Sequence, residues 1–148
     1  ESQHRPQYGH RRQETGGERR AGALTAAMAD RMLLLTVHPG ETPLRTRVAD
    51  RLLARCIGLL NCDRLDDADG LLLAPCTAVH TCGMSFAIDV LFLDGDLRIL
   101  RLVPALKPWR AAQGPRGTRR VLELAAGGVA RRGWQAGQQL QAMPAGTR

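Results

Sequence analysis

Apolar and polar positions alternate over short stretches along most of this chain, and only once does the spacing turn helical. Met32 to Val37 is an apolar run of strand length, stopped by Pro39-Gly40. Leu44, Thr46 and Val48 then alternate with Arg45 and Arg47, the pattern of a half-exposed strand. Asp50 stands at an N-cap position, and Leu52, Leu53, Cys56, Ile57 and Leu60 recur at helical spacing, so a short helix is predicted near residues 50–60. An acidic loop runs from Asn61 to Asp69. Gly70 to Ala74 and Ala78 to Cys82 read as short strands. The clearest element is Ile88 to Leu93, then Asp94-Gly95, then Leu97 to Val103. An Asp-Gly pair between apolar runs predicts a hairpin with a type I′ turn. Pro104 to Gly117 reads as a long loop, Val121 to Ala125 as a strand, Gly127 to Gly133 as a tight turn or short helix, and Gln138 to Ala142 as a closing strand.

Before this pattern begins, residues 1–31 are polar, aperiodic and rich in Arg and Gly. Such a segment buries too little apolar surface to offset its ordering entropy, so a disordered arm is expected there. Residues 32–143 then form one domain, and 144–148 a frayed tail. Several short strands with regular turns and one helix predict a mainly β fold, a compact sandwich or open barrel. The 148 residues suffice for one ordinary domain. Aromatics are only 3%, so the core must be built from Leu, Val, Ile and Ala, and base-stacking platforms are disfavoured. No apolar run approaches the roughly 20 residues of a membrane helix.

Charge is unevenly placed within a net +7. From Cys56 to Gly95 one base faces six aspartates, whereas from Asp96 to Arg148 ten bases face two acids. A basic C-terminal half can steer toward anionic polymers, but no nucleic-acid motif accompanies it, so nucleic acid is not the expected partner. The four cysteines, Cys56, Cys62, Cys76 and Cys82, admit three disulfide pairings. With no secretory signal read before the domain, the expectation is reduced thiols in a cytoplasmic protein, monomeric and without a cofactor.

The stretch from His80-Thr81-Cys82-Gly83-Met84 through Ile88-Asp89-Val90-Leu91-Phe92-Leu93-Asp94 resembles the central signature of domain-of-unknown-function family 192. Two flanking pieces agree in order: Arg55-Cys56-Ile57-Gly58-Leu59-Leu60, and Val121-Leu122-Glu123-Leu124-Ala125-Ala126-Gly127. Leu60 stands where a Met is usual, Cys82-Gly83 where an aromatic is usual, and Ala87-Ile88 where the family has Pro-Leu. These departures, with Pro75-Cys76 and His80-Thr81, resemble a Cys-x-x-x-His-Thr-x-Gly-Met subgroup. The resemblance implies a compact β fold without an agreed activity. For the subgroup it implies an accessory role around secretion or pilus assembly.

The residues able to do chemistry fall into three groups. Asp89 lies on an apolar strand, where a carboxylate is costly unless paired; it is either a cleft carboxylate or the partner of Arg55 or Arg51. Glu123, between Leu122 and Leu124, repeats the puzzle, and two such carboxylates can serve a hydrolase if they share a cleft. Cys76, His80 and Cys82 have the residue types of a metal site, at a non-standard spacing. Trp109, in the long loop beside Arg110, is a binding surface or a loop anchor. The leading reading is a non-enzymatic binding module that holds a polar ligand or protein segment in a shallow cleft. Its contacts would be Arg55, Gly58, Met84, Asp89, Glu123 and Trp109. The competing readings are a hydrolase using Asp89 and Glu123 or the Cys/His group, and an anionic-polymer binder using the basic C-terminal half.

Overall fold

In a computed structural model, residues 32–49 and 65–146 are described. Among these residues nine strands and one short helix follow in order: β1 (Met32–Thr36), β2 (Leu44–Ala49), β3 (Asp69–Leu73), β4 (Ala78–His80), β5 (Ile88–Leu93), β6 (Ile99–Leu106), β7 (Ala111–Gln113), β8 (Arg120–Ala125), α1 (Gly128–Arg132) and β9 (Gln141–Pro144). Seven strands form one mixed sheet in the order β6-β5-β8-β3-β2-β1-β9, and β4 and β7 form a separate two-stranded ribbon. All pairs are antiparallel except β2 with β3. The mainly β expectation holds; the main sheet stays open, with β6 and β9 as its edges. The helix expected near residues 50–60 lies outside the described residues, as do the arm at 1–31 and the cysteines Cys56 and Cys62.

The sheet carries a core on each face. One face joins Leu33, Leu35, Leu72, Leu91, Leu93 and Leu122 to Leu97, Ile99 and Trp134 from the return strands and loops. The other joins Leu71, Leu73, Ile88, Val90, Phe92 and Val121 to Val79 and Met84, so the ribbon covers it. Strand β5 is therefore buried at every position, which is why Ile88 to Leu93 reads as a continuous apolar run with one acid in it.

Three local differences from the sequence reading have physical causes. The β5–β6 hairpin exists, but its turn is not type I′. The Leu97 amide donates to the Asp94 carbonyl, and the left-handed residue is Leu97 (φ 63°), not Gly95. This is a three-residue loop with a bulge. It turns Leu97 into the core, and the Asp94 carboxylate accepts from the amides of Asp96 (2.8 Å) and Arg98 (2.9 Å). Next, Pro104 does not begin a long loop; it lies inside β6, an edge strand where a missing amide leaves no ladder bond unmade. Finally, β9 starts at Gln141 rather than Gln138, and Gln139 makes only an isolated bridge to Arg98.

Glu41 closes the structure between distant segments. Its carboxylate accepts from the amides of Val37 (2.9 Å) and His38 (3.3 Å), from the Trp134 indole (2.8 Å) and from Arg132 (3.3 Å). Arg132 in turn stacks over the Trp134 ring at 5.3 Å. Burial opposes the charge, but these four donors outweigh it and hold the carboxyl below its usual range. A lowered value means that the stabilisation is present above the unfolded carboxyl's range and is lost as pH falls through the folded one. Glu41→Gln is expected to cost about 2 kcal/mol in urea unfolding at pH 7, with the gap to wild type closing as pH falls through the folded carboxyl's lowered range. An unchanged midpoint at pH 7 would show the clasp to be idle.

Candidate functional site

Asp89 is fully buried on β5, and backbone donors account for both of its oxygens. Oδ1 accepts from the Ala105 amide (2.8 Å) and Oδ2 from the Val129 amide (3.0 Å). The first donor exists because β6 bulges opposite Asp89: Ile88 pairs with Leu106 but Val90 with Val103, which leaves Pro104 and Ala105 facing one residue. Ala105 takes a positive φ of 50° there. The second donor is an unpaired amide of the first turn of α1, whose N-cap is Gly127 and supplies no side-chain cap. Asp89 thus caps a helix that begins about forty residues further along the chain, and fixes an edge bulge at the same time. Its expected partner Arg55, and Gly58 with it, lie outside the described residues, among which these amides are the groups that satisfy it.

Glu123 lies on the other face. In the β5–β8 ladder Asp89 opposes Leu124 and Val90 opposes Glu123, and successive residues point to opposite sides. One cleft cannot hold both carboxylates, so the hydrolase reading that pairs them does not stand. In its own row Glu123 sits between Val90 and Leu71, and it is only 6% exposed. It has no hydrogen-bond partner among the described residues. Burial pushes its carboxyl up to about 7.

On the ribbon, the Cys76 thiol donates to the Ala78 carbonyl (3.1 Å), while His80 and Cys82 are exposed. Cys76 and Cys82 are not disulfide-bonded. Among the described residues no three metal-ligating side chains come together, so Cys76, His80 and Cys82 do not form the metal group considered from the sequence. Met84 is a core residue beneath the ribbon, and Phe86 packs against the same cluster.

The most specific arrangement lies just beyond the ribbon, around Thr81. This threonine is fully buried; its hydroxyl donates to the Lys107 carbonyl (2.7 Å) and accepts from the Arg110 amide (2.9 Å). Its own amide donates to the Arg110 carbonyl (2.8 Å), and its carbonyl accepts from the Trp109 amide (3.0 Å). The β6–β7 loop is thereby clamped on both sides of Trp109, which is held at a positive φ of 59°. An aromatic residue in that region carries roughly 1–3 kcal/mol of strain. The strain at Leu97 is repaid by burial and that at Ala105 by the bond to Asp89. At Trp109 the ring gains nothing from the core: it is 67% exposed. Lys107 and Arg110, also exposed, flank it. Trp134, by contrast, is 3% exposed and serves as an anchor. The sequence singles out Trp109; it places Thr81 within the subgroup motif but gives no sign of its role as a clamp, because its partners lie 26 and 29 residues away.

The model of one protein family, DUF192, described as "Uncharacterized ACR", matches residues 35–142, from β1 to β9. The chain belongs to the DUF192 family. Two solved structures share the fold. A protein of unknown function from Novosphingobium aromaticivorans DSM 12444 superposes with a TM-score of 0.64 at 20% identity, over 74% of this chain and 83% of that one. A protein from Sinorhizobium meliloti 1021 described as a "putative transcription regulator" gives 0.67 at 23% identity, over 75% and 92%. No curated protein matches the chain. Two of the three motif pieces that carry the DUF192 resemblance lie among the described residues and have structural duties. Ile88 to Asp94 is β5 with its capping turn, and Val121 to Gly127 is most of β8 together with the left-handed glycine (φ 83°) that opens α1. No helix among the described residues is long and apolar enough to cross a membrane.

Proposed function

We propose that this DUF192 protein is a small binding module without catalytic activity of its own, which holds a polar ligand or a protein segment against the corner formed by the ribbon and the β6–β7 loop. One observation carries this reading: Trp109 is displayed to solvent on a strained backbone that a buried threonine holds from both sides. A rigid aromatic ring contributes contact area at low entropic cost on binding, which is why Trp dominates interface energetics. The carboxylates support the same reading by elimination: Asp89 accepts from two amides, and Glu123 is buried in the sheet, on the face the ribbon covers. At 23% identity the likeness to the Sinorhizobium protein concerns the fold and supports no regulatory role. The accessory role around secretion or pilus assembly implied by the subgroup resemblance is compatible with a module of this kind.

The test is selection from a random peptide library on the immobilised protein, with a Trp109→Ala protein as the counter-target. Trp109→Ala is expected to leave the thermal midpoint within a degree or two, because the ring contributes nothing to the core. Peptides retained by the wild type should bind the variant at least tenfold more weakly. Equal retention by the two proteins, or no enrichment at all, would contradict the proposal.

A further inference from the structure

The two stretches of chain that build the corner around Trp109 carry charge of a single sign. From Leu97 to Leu122 the chain carries seven bases and no acid, and from Ala74 to Ile88 it carries no acid either. These two stretches supply the ribbon, β6 and the loop that displays Trp109. The nearest acids along the chain do not offset it. Asp89 and Glu123 are buried, Asp89 on its two amides, and Asp94 and Asp96 belong to the hairpin turn at the opposite end of β6. Eight strand residues separate that turn from the loop, roughly 25 Å at about 3.3 Å per residue. The Arg110 guanidinium is held at the Trp109 backbone, donating to its carbonyl (3.1 Å). Lys107, the only lysine of the chain, is exposed on the ring's other side in sequence.

We infer that this corner docks an acidic protein segment, with carboxylates meeting Lys107 and Arg110 and an apolar side chain lying on the Trp109 ring. The inference rests on the binding-module reading above and names its partner by charge complementarity. A nucleic-acid strand fits the same cations less well. Such strands stack successive bases on several rings, and among the described residues one aromatic ring, Trp109, is prominently exposed. Among the described residues the other exposed large apolar side chains, Met32 and Met143, lie on β1 and β9, at the far end of the sheet from β6.

The experiment is fluorescence anisotropy of three labelled probes against the full chain. They are a twelve-residue peptide of Asp and Glu with a central Leu, its Asn/Gln counterpart, and a twelve-nucleotide oligothymidine. The acidic peptide is expected to bind at least tenfold tighter than the neutral one and to weaken at least tenfold in Trp109→Ala. A Lys107→Gln/Arg110→Gln double variant should weaken it similarly, and its affinity should fall as salt rises. Equal affinity for the acidic and neutral peptides would overturn the acidic partner and leave the binding module standing. Tighter binding of oligothymidine would overturn it in favour of nucleic acid. Loss of peptide binding on dilution of a self-associated form would overturn it in favour of a second copy of the chain. If no peptide binds and library selection also fails, the binding-module reading falls as well.

Discussion

Replacing Asp89 with alanine is expected to destabilise the protein by about 2–4 kcal/mol, because one buried and one part-buried amide lose their acceptor at once. A buried donor left unpaired costs about 1–3 kcal/mol, and a charged acceptor raises that figure. Asp89→Asn keeps one carbonyl oxygen and should lose about half as much. The signature goes beyond a lower midpoint. Hydrogen exchange should speed up at the Ala105 and Val129 amides in both variants, while the β3–β8 ladder stays protected in Asp89→Asn. A carboxylate kept for ligand or catalysis behaves differently: its removal leaves stability unchanged or raises it. Unchanged stability in both variants would return Asp89 to the list of functional candidates.

Glu123 is expected to make the protein less stable as pH rises from acid to neutral. Below about pH 4.5 the carboxyl is protonated in both the folded and unfolded states. Between there and about 7 the unfolded chain releases its proton while burial makes the folded one keep it. The unfolded state then binds fewer protons, so stability falls with pH across that window and levels off above it. At about 1.4 kcal/mol per pH unit, the loss is on the order of 3 kcal/mol. Glu123→Gln is nearly the same shape and cannot ionise. It should match the wild type near pH 4 and exceed it at pH 8 by the same amount. Urea unfolding of the two proteins at pH 4.5, 6 and 8 makes the comparison; parallel pH profiles would show that Glu123 is ionised and satisfied in the folded state.

What the sequence made legible were features encoded over a few residues. Strands β1, β2, β3, β5 and β8 follow from apolar runs and period-two alternation, while the segment bounded by the glycines at 127 and 133 reads as a tight turn or a short helix, and the fold makes it the helix α1. The β5–β6 hairpin followed from Asp94-Gly95, but its turn type did not. Burying Leu97 contributes about 2 kcal/mol, more than the left-handed backbone at that residue costs, so the core chose the bulged loop. Pro104 read as a loop start because a proline's tolerance depends on whether its strand lies at an edge, and edge position is a property of the whole sheet.

The candidate site divides along the same line. That Asp89 and Glu123 are costly where they stand was legible from their leucine neighbours. That they occupy opposite faces was not, because it depends on the register of β5 against β8. The partners of Asp89 lie 16 and 40 residues away, and the clasp between Glu41 and Trp134 spans 93. No local pattern records such contacts. Trp109 stood out as a tryptophan in a basic loop; Thr81, which makes it rigid, required the fold.

The central claim, that Trp109 is the binding ring and Trp134 a structural one, can be read from a single spectrum. The chain has two tryptophans, so its ¹⁵N correlation spectrum contains two indole N–H signals, assigned by the loss of one in Trp109→Ala. Titration with a peptide selected on the wild-type protein should shift the Trp109 indole and the Lys107–Arg110 amides, and leave the Trp134 indole, fixed on Glu41, in place. Shifts that spare Trp109 and centre on the strands around Glu123 or Asp89 would contradict the account.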